Sequence, residues 1–141
     1  MTTYPADAAG YKELGRDKLP GLLGIEILEL DAGRVRARVD ITERHRAPNG
    51  YLHAATVVGL LDTACGYGCL ASLPDGASGF TTIELKANFL GTLREGGLGC
   101  EARAVHSGRT TQVWDARAYA EETGNTIALF RCTQLILRPE Q

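Results

Sequence analysis

Leu52 to Leu73, LHAATVVGLLDTACGYGCLASL, is a near-continuous run of apolar and small residues carrying a single carboxylate, Asp62, near its middle. No other feature of the chain narrows the choice of fold as much. A helix that is apolar all round is normally a buried one. About twenty residues of helix reach roughly 30 Å, so the rest of the chain has to wrap around it. Aspartate is rarely buried without a partner; an unpaired ionised carboxylate there costs several kcal/mol or takes up a proton. The acid therefore needs compensation from elsewhere in the structure. That is how a working acid, base or nucleophile is often set up.

The wrapping material is legible as strands. In Arg34–Ile41, Val35, Ala37, Val39 and Ile41 alternate with Arg34, Arg36, Arg38 and Asp40, a period of two that marks a strand with one buried face. It pairs with Ile25–Asp31 across a turn at Ala32-Gly33 as a β-hairpin. After Pro74-Asp75-Gly76 the pattern gives four further strands, Phe80–Leu90, Leu98–Ser107, Thr110–Glu121 and Thr126–Arg138. The turns between them contain Gly96-Gly97, Gly108-Arg109 and Thr123-Gly124-Asn125. A polar segment, residues 1–19, precedes this domain (20–141). Within it Ala6 to Leu19 is predicted to form a short helix that Pro20-Gly21 breaks. The expected order is ββ, one long helix, ββββ: an α+β fold with an antiparallel sheet wrapped around the helix. Exposed sheet edges make an oligomer the expectation.

Composition removes several function classes. A chain of 141 residues is expected to be one domain. Its net charge of −2 gives no electrostatic footprint for nucleic acid or an anionic membrane. The central Asp62 and three glycines argue against a membrane span for Leu52–Leu73. The N-terminus has neither the basic start nor the apolar core of a secretory signal. With four cysteines, Cys65, Cys69, Cys100 and Cys132, reduced thiols in a cytoplasm are expected. No CxxC pair or nearby histidine completes a metal site, so no metal is expected.

The run Asn49-Gly50-Tyr51-Leu52-His53-Ala54-Ala55, followed by Leu61-Asp62-Thr63-Ala64, resembles the signature of hotdog-fold acyl-CoA thioesterases of the phenylacetyl-CoA thioesterase-like group. Thr82 to Leu90 and His106 to Thr110 are similar to two further stretches of that family, so the resemblance spans about residues 20 to 138. One departure stands out: the glycine pair after the histidine is Ala54-Ala55. The backbone N–H that the family uses there is also supplied by alanine.

The resemblance implies hydrolysis of an acyl-CoA thioester. Asp62 would be general base or nucleophile and the Ala54 amide the oxyanion donor, with His53 or Asn49 orienting the carbonyl or loop. Thr82 would hold the water or the Asp62 carboxylate. Gly108 and Arg109 would contact the nucleotide, Arg109 as a phosphate partner. Coenzyme A enters as part of the substrate, and no separate cofactor is implied. Tyr67, Leu70, Phe80 and Phe89 would shape an acyl pocket.

Helical arithmetic adds a constraint of its own. If His53 opens the helix, Asp62 lies nine residues on, roughly 13.5 Å along the axis and half a turn around it. One chain cannot bring the two together. A site using both needs the helix start of one subunit and Asp62 of another, as in a two-fold dimer or a tetramer built from it.

Plainer roles stand beside these. Asn49 suits an Asn-Gly turn, His53 a satisfied helix end, Thr82 a strand hydroxyl and Arg109 a solvated turn. His45, in Arg44-His45-Arg46, reads as a solvated loop residue. Trp114 and Tyr119 read as sheet-packing aromatics. Two other functions fit the same fold: a hotdog hydratase or dehydratase, and a non-catalytic acyl-CoA binding module.

Overall fold

The computed structural model describes residues 3–140. Two short helices, α1 (Ala8–Gly15) and α2 (Leu19–Leu23), lead into the hairpin β1 (Glu26–Asp31) and β2 (Arg34–Ile41). A 3-10 turn at Glu43–His45 precedes the long helix α3 (Ala54–Ala71). Four strands follow: β3 (Gly79–Phe89), β4 (Gly96–Ser107), β5 (Thr111–Ala120) and β6 (Thr126–Leu137). All six strands form one antiparallel sheet in the order β1-β2-β4-β5-β6-β3. The expected α+β architecture, an antiparallel sheet around one long helix, is the one observed.

The N-terminal segment differs from expectation. Its first helix ends at Gly15, and Pro20 does not break a helix but sits in the first turn of α2. Proline is compatible there because the first-turn N–H groups have no intrahelical acceptor and its φ is already helical. Asp7 caps α1, its Oδ1 accepting from the Gly10 amide at 2.9 Å. Tyr11 anchors the segment to the body: it is fully buried, its ring 5.0 Å from that of Tyr67 on α3.

The alternation in β2 does what a period of two must. Val35, Ala37, Val39 and Ile41 are buried against α3. The arginines between them lie on the outer face, where Arg36 pairs with Glu29, and Arg38 with Glu26 and Glu121. On α3, Val57, Leu60, Leu61, Ala64 and Cys65 recur at helical spacing and meet the inner face of the sheet. The helix has the length and apolar character of a membrane span, yet half of it is buried in the chain's own fold.

Small residues on α3 set how closely the sheet approaches. Trp114, fully buried on β5, lays its ring over Gly68. Alanine is the better helix former by about 1 kcal/mol, but a Cβ at Gly68 collides with that ring. Overpacking of this kind costs about 1–3 kcal/mol, so Gly68→Ala is expected to lower the thermal unfolding midpoint. A raised midpoint would mean that the indole has room to move.

Candidate active site

The start of α3 is built so that one backbone donor is left over. His53 is the N-cap, with extended backbone at φ −69° and ψ 133°, and its Nδ1 accepts from the Ala55 amide at 2.9 Å. The first N–H groups of a helix have no intrahelical acceptor. The cap satisfies that of Ala55, while the exposed Ala54 amide has no partner among the described residues. It is a free donor at the positive end of the helix dipole. With Nδ1 accepting, a neutral His53 ring carries its proton on Nε2, a second donor at the same place.

His45 holds this helix start in position. Its Nδ1 accepts from the Thr42 amide at 3.0 Å, and its Nε2 lies 2.7 Å from the Leu23 carbonyl oxygen of α2. Its own carbonyl accepts from the His53 amide at 3.1 Å and from the Thr56 hydroxyl at 2.9 Å. The expectation of a solvated loop residue is corrected: His45 is half-buried and clips α2 to the start of α3. Local pattern could not show this, because its partners lie 22 residues back and 11 ahead.

Asp62 is half-buried midway along α3. The Thr82 hydroxyl of β3 donates to its Oδ1 at 3.0 Å, while its other oxygen has no hydrogen-bond partner among the described residues. Burial lifts its carboxyl above the usual carboxylate range, and the Thr82 hydrogen bond opposes that shift. Within one subunit eight residues separate it from the Ala54 amide, about 12 Å along the helix.

The other expected site residues sit apart from this pair. The Asn49 side-chain Oδ1 accepts from the Tyr51 amide at 3.1 Å, closing the turn at Gly50, where φ is +89°. The Gly108 amide donates to the Thr111 carbonyl within the β4–β5 turn, and the Arg109 carbonyl accepts from the Arg138 guanidinium. The Arg109 side chain is exposed and makes no ion pair among the described residues. Tyr67 borders a 370 Å³ cleft beneath α1 that Leu70, Phe80 and Phe89 do not line. Phe80 packs against Gly66, and Phe89 is exposed. All four cysteines are free and buried, and no group of three metal-ligating side chains occurs among the described residues.

Gln134 and Gln112, fully buried polar residues of β6 and β5, are absent from the expected site. Gln134 lies directly opposite Thr82, its Oε1 2.7 Å from the hydroxyl. Strand parity is the signal that reveals both glutamines: each shares the inward face with a large buried apolar residue two positions away, Trp114 or Ile136.

The family model described as thioesterase superfamily matches residues 49–127. The 1,4-dihydroxy-2-naphthoyl-CoA hydrolase of Listeria monocytogenes is 32% identical over 111 residues, covering 79% of this chain and 89% of that protein. The 1,4-dihydroxy-2-naphthoyl-CoA hydrolase of Escherichia coli is 26% identical over 127 residues, or 88% and 90% of the two. Among solved structures, the thioesterase PA1618 of Pseudomonas aeruginosa gives a TM-score of 0.87 at 28% identity over 96% of both chains. The thioesterase HI1161 of Haemophilus influenzae gives 0.85 at 25% identity, over 97% of this chain and 93% of that one.

The raised proton affinity of Asp62 has a cost in stability. Its folded-state pKa lies above its unfolded value, so the folded chain binds the extra proton between the two, and stability falls as pH rises through that window. Asp62→Asn keeps an oxygen for Thr82 and removes the charge. It is expected to melt higher than wild type at pH 7, with the gap closing as pH falls toward 3.8, the ordinary value. A gap that stays constant with pH, measured by calorimetry, would refute the burial argument.

Proposed function

Because the chain belongs to the thioesterase superfamily, we propose that it hydrolyses an acyl-CoA thioester with Asp62 as general base, in sites each shared by two copies. One observation carries this reading: among the described residues, a half-buried carboxylate has one oxygen tethered by Thr82 and the other unpartnered, on the same helix whose first amide is left without an acceptor. The untethered oxygen takes a proton from water as the water oxygen bonds to the thioester carbonyl carbon. Burial suits it to that task by raising its proton affinity toward working pH. The Ala54 amide, with the His53 Nε2–H beside it, accepts the developing oxyanion. The C–S bond then breaks, and the departing thiolate takes up the proton from Asp62.

The two halves of the site lie about 12 Å apart in one chain, so the carboxylate of one copy serves the helix start of another. The sheet supplies a place for a second copy. β3 is an edge strand of 11 residues, and Ile83 (56% exposed), Leu85 and Phe89 stand open on it. A long apolar edge of this kind is ordinarily paired or covered. Pairing across a two-fold axis gives two equivalent sites. The exposed Arg109 is the proposed phosphate partner, and the named substrate of the relatives, an aromatic acyl-CoA, is the first to test. The four free thiols fit a reducing cytoplasm.

Thiol release from a panel of aromatic and aliphatic acyl-CoAs tests the reading. Wild type is expected to turn over at least one, and Asp62→Asn to lose about a hundredfold or more in kcat. Coenzyme A binding without thiol release from any of them would make the protein a binding module instead.

Ala54→Pro tests the donor and the sharing together. It deletes the one N–H at a helix position that proline tolerates, after a residue whose ψ of 133° already suits a following proline. It is expected to abolish turnover while the melting temperature holds. Mixed and refolded together, inactive Ala54→Pro and inactive Asp62→Asn should regain about a quarter of wild-type activity, since half the dimers are hybrid and one of their two sites is intact. No recovery would place the whole site in one chain.

A further inference from the structure

Past its bulge, the open edge strand β3 carries one charge of each sign. Glu84 stands opposite Thr133 of β6 and Lys86 opposite Arg131, both on the outer face, while Leu85 between them lies opposite the buried Cys132 on the inner face. Glu84 and Lys86 are exposed, and neither makes an ion pair among the described residues. The arginines of the same face differ: Arg34, Arg36, Arg38, Arg103 and Arg131 each meet a carboxylate. A strand added at the open edge is where counter-charges for Glu84 and Lys86 can come from.

A strand that pairs with its own copy across a two-fold axis has few registers to choose from. Directly opposed residues of antiparallel strands share a face, so a slip by one residue sets inward side chains against outward ones. In the regular stretch after the bulge, the axis therefore passes through a residue. An axis through Glu84 puts Glu84 against Glu84, and one through Lys86 puts Lys86 against Lys86; like charges directly opposed are unfavourable. An axis through Ala87 or further on leaves both charges without a counterpart. An axis through Leu85 sets Glu84 against Lys86 of the second copy, and does so twice.

The helix points to the same axis. Exchanging the Ala54 end of one α3 with Asp62 of another needs a two-fold axis level with Val58, midway between them. Asp62 is level with Thr82, to which it is hydrogen-bonded, and Gly66 is level with Phe80, whose ring lies against it. One helical turn, about 6 Å, thus runs past two strand residues, about 6.6 Å. The next turn back from Asp62 reaches Val58, and on β3 it reaches Leu85, since Ile83 is the extra residue of the bulge between Thr82 and Glu84. Charge pattern and helix geometry select one residue by separate routes.

We infer that β3 joins β3 of a second copy with Leu85 opposite Leu85, the Glu84–Lys86 pairs on either side of the axis setting this register. Each Asp62 then lies level with the helix start of the other copy. This rests on the proposed function for the sharing of each site between two copies; the charge pairing itself needs no substrate.

Two experiments test the register. Leu85→Cys is expected to form a covalent dimer with oxidised glutathione, read on a non-reducing gel, since opposed Cα atoms lie about 4.5–5.5 Å apart, within disulfide reach. Glu84→Cys and Lys86→Cys, each diagonal to its own counterpart, are expected to stay uncoupled, as is wild type with its four buried thiols. Preferential coupling through Glu84→Cys or Lys86→Cys, or a monomeric wild type, would overturn the inference. The second experiment exchanges charge. In Glu84→Lys both positions are basic and in Lys86→Glu both are acidic, so the pairs repel within either homodimer and attract in the hybrid. Refolded together from differently tagged chains, the two variants are expected to give about four in five or more hybrid dimers, against the half share of random pairing. The excess is expected to shrink at about 1 M salt, where the screening length is about 3 Å. A half share at low salt would overturn the inference. Leu85 coupling in a protein that releases no thiol from any acyl-CoA would keep the register and reject the proposed function. Turnover without Leu85 coupling would do the reverse.

Discussion

The structure depends on keeping one carboxylate inside an apolar helix, and a single hydroxyl from the sheet makes that tolerable. Among the described residues, Asp62 has only the 3.0 Å contact to Thr82 to offset its burial. That contact requires β3 to cross the middle of α3, which the chain achieves by sending β3 to the far edge of the sheet beside β6. Strands β4 and β5 then fill the space between β2 and β6. This order sets Thr82 beside Gln134 on the neighbouring strand and against Asp62 on the helix.

Much of this was legible in the sequence, and the physical reason is periodicity. The strict alternation of Arg34–Ile41 matched β2 residue for residue, and the unbroken apolar run gave α3 to within two residues at each end. Both signals are local, carried by neighbours a few positions apart. Asp62 was visible because a charge in such a run has no local explanation, and Thr82 because of its place in a familiar stretch. What was hidden depended on distant partners: the clip of His45 to Leu23, and the 2.7 Å approach of Gln134 to Thr82 across 52 residues. Pro20 misled for a different reason. A proline reads as a breaker unless it falls in a first turn, and nothing local marked Lys18 as a helix cap without a side-chain bond.

The candidate site divides its work between side chains and backbone. The proposed base is a side chain, fixed by its place on a rigid helix and by a strand hydroxyl. The proposed donor is a backbone N–H, set by the cap that satisfies Ala55 but not Ala54. His45 braces the helix start through its own carbonyl, which receives both the His53 amide and the Thr56 hydroxyl. Helix start and helix middle are parts of one continuous helix, and a straight helix cannot fold back to bring its own start onto its middle. The second copy in the proposed site thus follows from stiffness rather than from any particular contact.

The two edges of the sheet are not alike, and the difference bears on how large an assembly can grow. β1 shows Glu26, Glu29 and Asp31 along its rim and is bent by a bulge between Ile27 and Glu29. β3 shows Ile83, Leu85 and Phe89, with the exposed Glu84 and Lys86 beside them in opposite charge. Head-to-tail addition needs two adhesive ends, and a chain with one guarded end and one open end lacks the second. Joining like edge to like uses up the open ends of both partners at once. The acidic rim of β1 thus disfavours sheet-to-sheet fibre growth from that side, and β3 is the edge left open to the proposed partner copy.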